Sequence, residues 1–317
     1  MFRYSRVITA ASLILGLASS LLAQGNSQAK KFPQVVASVN GEQITGAELE
    51  SIIQQIGKNQ DPLGTAQNRL QMERDAALAM LIDDLLMQQF IRQNTPAVPD
   101  ALVNQKMAEM AAELKKQGKT LQGLCKETQQ TEAQLKKTLR LKLQWGNYAQ
   151  SQIKEEHVKN YYSHFKDFFD GHTVQVALIV LRTPPGVTAA EKTRMGSKMQ
   201  DLRKQIIEGK MDFAFAAKTY SQDPSSAAGG NLGYVPRKYA LEEPLAQVAF
   251  RLGSGQVSEV ISLDMGLFLL RVLDRKPGRG AEYQKIKEDV RDFCLEDFFQ
   301  DTLVNQRKLA KIEIFLR

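Results

Sequence analysis

Phe213-Ala-Phe-Ala-Ala-Lys-Thr-Tyr-Ser-Gln-Asp-Pro-Ser-Ser-Ala-Ala-Gly-Gly-Asn-Leu-Gly-Tyr-Val-Pro-Arg237 reads as a short helix over 213–220 followed by a glycine-rich loop. Gly229-Gly-Asn-Leu-Gly233 lacks both the Gly-x-Gly-x-x-Gly spacing and a following Lys-Ser or Lys-Thr, so it is a tight loop and not a phosphate cradle. Asp223 heads that loop, where a carboxylate can cap the turn.

Working outward, Val174, Val176, Leu178 and Val180 alternate with Gln175, Ala177, Ile179 and Leu181. This predicts a strand apolar on nearly both faces, ended by Pro184-Pro185-Gly186. Thr188 and Glu191 form a capping box opening a helix with a buried stripe of Met195, Met199, Leu202 and Ile206, closed by Gly209. A helix near 243–250 and a hairpin from Val257 to Leu273 complete an α+β unit of about a hundred residues, a normal domain size.

Toward the N-terminus the period is helical. Val35–Thr45 alternates as a strand-turn with Asn40-Gly41 as its hairpin signal, and Thr45 with Glu48 makes a capping box. Leu78, Leu81, Ile82, Leu85, Leu86 and Phe90, then Val103, Met107, Met110 and Leu114, predict two amphipathic helices joined by Thr95-Pro-Ala-Val-Pro99. A third passes Leu135, Leu139 and Leu143 toward Trp145 and Tyr148 and runs on to about Phe169. At the other end, Tyr283, Ile286, Val290 and Phe293 mark a helix, and Ile312–Leu316 a strand. A lone helix and strand cannot form a core, so they are expected to pack on the N-terminal helices and their unpaired strand.

The very N-terminus carries Arg3 and Arg6, an uncharged apolar run Val7–Leu22, and then polar residues, the layout of a secretory signal. It is either cleaved or kept as an anchor, although the run falls short of the roughly 20 residues a comfortable span needs. Cys125 and Cys294 are too few for a disulfide framework and are expected to be two inert thiols or, in an oxidising compartment, one pair. The formal charge of +7 is spread among acidic and amide neighbours, as at Lys115-Lys116 and Lys136-Lys137, with no basic stripe interleaved with aromatics. Nucleic acid is therefore excluded as a partner, and acidic clients are favoured.

The order of these segments resembles the exported foldases of the SurA and PrsA type, which carry a parvulin peptidyl-prolyl isomerase domain. The likeness rests on Tyr220-Ser-Gln-Asp-Pro-Ser-Ser226, Gly229–Gly233, Ala249-Phe250, Gly255-Gln-Val-Ser-Glu259 and the opening Val-Asn-Gly strand-turn. It implies an α+β chain: a signal at 1–23, a helical N-terminal domain at 24–171, an inserted parvulin domain at 172–275, and a segment at 276–317 that returns to complete the first domain.

It also implies a site without metal or cofactor. In parvulins the substrate proline sits in an apolar pocket, while an Asp or Cys and two histidines form a polar network around the twisting amide. Here Asp223 stands at the acidic position, Leu178 and Phe268 at the two histidine positions, Leu241 and Leu245 at the pocket Met and Phe, and Met265 at a hydroxyl position, with Phe250 completing the walls. The pocket keeps its apolar lining and loses most of its polar network. Three readings follow: a foldase binding unfolded or proline-containing polypeptides with little catalysis, an isomerase relying on Asp223, or a non-catalytic envelope-assembly scaffold. Clients would be outer-membrane or secreted proteins in a periplasm or cell envelope, with membrane contact only through an uncleaved signal.

Two further features carry bland readings. His157, His164 and His172 lie close in sequence, but i and i+7 on a helix stand about 10.5 Å apart along its axis, too far for one ion. Met72, Met80, Met87, Met107 and Met110 suit either core packing or an adaptable binding surface.

Overall fold

The computed structural model describes residues 32–57, 66–128, 130–184 and 186–316, so the expected signal at 1–23 lies outside it. The chain divides into two compact units, one of residues up to Lys154 together with Asp292–Arg317, the other Glu155–Arg291.

In the first unit, β1 (Val35–Val39) and β2 (Glu42–Thr45) form the expected hairpin. Asn40 and Gly41 have φ of 51° and 87°, the paired positive values that a two-residue turn matching the strand twist demands. Thr45 and Glu48 close the capping box of α1 (Gly46–Gly57): Glu48 N donates to Thr45 Oγ1 at 3.3 Å, and Thr45 N to Glu48 Oε2 at 2.8 Å. Next come α2 (Ala66–Asn94), α3 (Asp100–Lys116), α4 (Leu121–Thr128) and α5 (Glu132–Gln152). The short α4, which buries no side chain, was not among the helices expected from the sequence. The third helix expected from sequence breaks at Ile153, which turns extended at φ −96° and ψ 95°. Chain beyond it re-forms as α6 (Glu155–His164) and α7 (Lys166–Phe169), with Glu155 and Glu156 at the start of α6, where negative charge is favourable.

The C-terminal segment completes this unit as expected. Strand β7 (Ile312–Ile314) adds antiparallel to β1, pairing Ile312 with Val39 and Ile314 with Ala37, so the sheet order is β2-β1-β7. The later part of the long helix α11 (Tyr283–Leu309) puts Phe299 and Leu303 into a core with Val36, Leu49, Leu81, Leu86 and Leu141. Trp145 joins α5 to that helix, with ring centroids 5.1 Å from Phe299 and 5.5 Å from Phe298. Cys125, half-buried, and Cys294, buried, are both thiols.

The second unit is a four-stranded antiparallel sheet of order β4-β3-β6-β5, from β3 (Thr173–Arg182), β4 (Asn231–Pro236), β5 (Ile261–Leu263) and β6 (Gly266–Lys276). Both faces are covered, which is why β3 is apolar throughout. Val174, Val176, Leu178 and Val180 face α10 (Glu243–Arg251), while Ala177, Ile179 and Leu181 face α8 (Ala189–Ile207) and α9 (Phe213–Tyr220). The hairpin is less regular than expected. β5 begins only at Ile261, because buried Ser258 accepts the Leu270 N–H on its own Oγ at 2.9 Å in place of a ladder carbonyl.

This unit is wider than the 172–275 expected. Tyr162 Oη donates to Ala281 O at 2.5 Å, Ala281 N to Asp170 Oδ1 at 2.8 Å, and Tyr283 Oη to Glu155 Oε1 at 2.9 Å. These bonds fasten α6, the end of α7 and the start of α11 to one another. A Cβ on Gly278 would overlap the Asp170 carbonyl, so only glycine permits that approach.

Gly230 is constrained twice: its φ is 80°, and a Cβ would overlap the Leu178 carbonyl oxygen. Gly230→Ala is expected to destabilise the sheet unit by about 2 kcal/mol or more. Gly209→Ala, at φ 70° but in open space, should cost only about 1 kcal/mol. Chemical denaturation of the two variants checks the difference.

Candidate functional site

Ser221-Gln222-Asp223 is hung on the end of β3. Val180 N donates to Ser221 Oγ at 3.1 Å, Gln222 N to Val180 O at 2.9 Å, and Arg182 N to Gln222 Oε1 at 2.6 Å. Two side chains thus satisfy backbone donors that no strand meets, a role that sequence reading of the motif missed. Asp223 then caps the 3-10 turn Pro224–Ala228, its Oδ1 accepting from Ser225 N at 2.9 Å and from Ser225 Oγ at 2.5 Å. Its Oδ2 has no protein partner among the described residues. The turn ends on Gly229 and Gly230, both at positive φ, and Gly230 O accepts the Leu178 N–H at 2.9 Å. The capping role expected for Asp223 is therefore present, and its second oxygen remains available.

Leu178, Leu245, Phe250 and Phe268 come together in one buried cluster, with Leu241 packed against it half-buried. In register, Phe268 stands opposite Val180 and Leu178 opposite Leu270. Leu178 is 5% exposed and Phe268 4%, so both side chains fill the space they point into and offer no hydrogen-bonding group there. Met265 is not part of this cluster. It sits in the turn between β5 and β6, half-exposed, and its carbonyl accepts from Thr183 N at 3.0 Å.

Helix α10, which supplies Leu245 and Phe250, is held at both ends by arginine. Buried Arg237 makes a two-pronged bond to Glu243 at its N-terminus, Nη1 to Oε2 at 2.7 Å and Nη2 to Oε1 at 2.6 Å. Past its C-terminus Arg275 donates to Leu252 O at 2.6 Å and Phe250 O at 3.0 Å, where carbonyls lack helical partners. Buried Lys238 lies 4.2 Å from the centroid of Phe165 and 4.9 Å from that of Tyr161, which ties the same segment to α6. Between this anchor and Leu241, Tyr239 adopts φ 70°, a left-handed conformation costing roughly 1–3 kcal/mol. Sequence reading found none of these cations, and for Lys238 the reason is that its aromatic partners lie far upstream.

Burial pushes the Glu243 carboxyl up, but Arg237, Gln247 and His164 outweigh it and hold the group at about 2. With the folded value below the ordinary one, the pair's contribution is full above pH 4.5 and is lost as pH falls toward about 2. Glu243→Gln should lower stability at neutral pH by about 1–3 kcal/mol, since Arg237 is left buried without its carboxylate. It should also flatten the acid limb in that window, as followed by denaturation from pH 6 downward.

His164 lies 3.5 Å from Glu243, and His172 Nδ1 2.8 Å from Asp167 Oδ1. Among the described residues no group of three or more His, Cys, Asp or Glu is placed to hold a metal ion, and no helix is long and apolar enough to cross a membrane.

Residues 179–274 match the family model of the PPIC-type PPIASE domain, and residues 2–149 that of the SurA-like N-terminal domain. The chain is 24% identical over 269 residues to the chaperone SurA of Aromatoleum aromaticum, covering 83% of this chain and 61% of that one. It thus spans about three fifths of the length of that relative. It is 26% identical over 279 residues to the foldase protein PrsA of Caldanaerobacter subterraneus, covering 83% and 80%. Among solved structures, peptidylprolyl isomerase PrsA from Bacillus anthracis is 20% identical, covering 72% of this chain and 96% of that one, with a TM-score of 0.45. By these matches the chain joins a SurA-like N-terminal domain to a PPIC-type PPIASE domain, and over 83% of its length it is similar to relatives named chaperone SurA and foldase protein PrsA.

Proposed function

We propose that the protein is an exported folding factor of the periplasm or cell envelope that binds unfolded or proline-containing polypeptides and catalyses prolyl isomerisation weakly or not at all. The observation that carries this is the burial of Leu178 and Phe268, at the family's histidine positions, in one apolar cluster. Rotation about an X-Pro amide has a barrier of about 18–20 kcal/mol. Only contacts that strengthen as the amide twists lower it, whereas apolar contacts that grip the proline ring equally throughout give binding without acceleration. Loss of a hydrogen-bonding group at such a centre typically costs about a hundredfold or more in rate. Residues 1–23 support export, and the names chaperone and foldase carried by the relatives support polypeptide clients, outer-membrane or secreted.

One observation favours a second reading, isomerisation through Asp223: its Oδ2 has no protein partner among the described residues, so the carboxylate can still face an amide. The experiment compares cis-to-trans conversion of an X-Pro peptide by wild type, Asp223→Ala and Leu178→His with Phe268→His, alongside suppression of unfolded-protein aggregation. The expected result is suppression with acceleration at least roughly a hundredfold below that of a histidine-bearing parvulin. Clear acceleration by wild type that disappears in Asp223→Ala would establish the second reading.

A further inference from the structure

Across the sheet from the Leu178 cluster, the second unit holds a cavity of about 770 Å³ lined by Ile206, Ile207, Met211, Phe213, Val257 and Arg271 among others. That volume is within the roughly 300–1,000 Å³ range of ligand sites. Four of the eleven lining residues belong to the apolar layer between sheet and helices: Ile206 and Phe213 are buried core residues, with Met211 and Val257 packed against them. Ile207 is 55% exposed, leaving apolar surface at the rim.

Arg271 does not fit an apolar layer. On β6 it follows Leu267 and Leu269 at two-residue spacing, stands opposite Ala177, and so belongs on the α8 and α9 face. Its Nε is fully shielded and has no hydrogen-bond partner. Among the described residues, no carboxylate or carbonyl meets its guanidinium. Other arginines of this unit that reach into the fold are satisfied: Arg203 by Glu259 and Ser258 O, Arg237 by Glu243, Arg275 by helix-end carbonyls. The two Nη groups, which no protein group among the described residues meets either, are not shielded and are the donors a ligand can reach, so the site favours an anionic one.

The local acids do not neutralise Arg271. Asp212 also lines the cavity, but its Oδ1 accepts the Phe215 N–H at 3.0 Å and caps α9. Glu208 pairs with Lys210 at 2.7 Å, and Glu259 with Arg203. None of these acids pairs with Arg271, which shares the lining with the capping carboxylate of Asp212 over a partly apolar floor. The complementary ligand is an apolar polypeptide segment bearing one carboxylate, whose two oxygens match the planar guanidinium fork.

We propose that this cavity is a second polypeptide-binding site, on the opposite face of the sheet from the proline pocket, that selects apolar segments carrying a carboxylate through Arg271. It rests on the reading of the protein as a polypeptide binder, but not on any property of the Leu178 face. The carboxylate can come from an acidic side chain or from a chain end, and the probes separate the two.

Three proline-free hexapeptides serve: acetyl-Ala-Leu-Glu-Leu-Phe-Ala-amide, the same with Gln for Glu, and the Gln peptide with a free C-terminal carboxylate. Binding is measured by calorimetry to the full chain, and the site by amide shifts in the wild type. The expected result is that at least one carboxylate peptide binds about tenfold tighter than the blocked Gln peptide, a charge-assisted bond's worth. It should shift Gly255, Gln256 and Phe213 and leave Leu245 and Phe250 unmoved. Arg271→Met, which keeps the apolar stem, should erase the preference while leaving binding of an X-Pro peptide unchanged, and that binding also reports a folded sheet unit. Equal affinity for all three peptides, a preference that survives in Arg271→Met, or shifts confined to the Leu178 face would each overturn the proposal. Failure of X-Pro peptide binding with the carboxylate preference intact would instead count against the function proposed for the other face.

Discussion

Every residue of β3 from Thr173 to Arg182 finds a partner on β6, and because side chains alternate, that one antiparallel pairing decides which face each of them takes. A slip of one residue would exchange Leu178 with Ile179 and Phe268 with Leu269, mixing two cores built to different shapes. The register is fixed from outside by groups that have no other work. Gly230 accepts the Leu178 N–H on one side, and on the other Ser258 exchanges bonds with Leu270 through both its backbone and its hydroxyl. Glycine at 230 is what lets that loop reach the strand at all.

Given that register, the α10 face is assembled by long-range charge rather than by apolar area alone. Arg237 and Arg275 come from two strand ends, β4 and β6, and grip opposite termini of one short helix. Buried cations of this kind are costly unless every donor is met. Glu243, the terminal carbonyls and the rings of Tyr161 and Phe165 meet them. The same arrangement makes α6 part of the sheet unit, because Lys238 finds its aromatic partners there, and it places Leu241 at the end of a segment held in a strained turn at Tyr239.

These devices separate what the sequence disclosed from what it hid. Strand alternation at Val174–Leu181, the Asn40-Gly41 turn and the capping boxes at Thr45 and Thr188 depend on neighbours a few residues away, and all were legible. The pairing of β7 with β1 was legible for a different reason, since an unpaired strand and a chain-end strand each need an edge. What stayed hidden lies outside local pattern: the side-chain hydroxyl of Ser258 replacing a ladder carbonyl, the aromatic partners of Lys238 far upstream, and the absence, among the described residues, of any protein partner for the Arg271 guanidinium. Within the site, the grouping of Leu178, Leu245, Phe250 and Phe268 followed from motif positions, while the exposure of Met265 did not, because the turn carrying it projects from the sheet.

The composition of the Leu178 face has an energetic consequence on the proposed reading. Histidine in a buried sheet face must have both ring nitrogens satisfied or bear a desolvation cost, and a polar network around a bound amide keeps part of that cost unpaid until substrate arrives. Leucine and phenylalanine remove the cost, and fully burying such side chains contributes roughly 1.5–3 kcal/mol each. The sheet thereby becomes more stable where a catalyst would need it frustrated. A chain that holds clients gains from a rigid apolar face there, against which a proline ring packs equally well in either isomer.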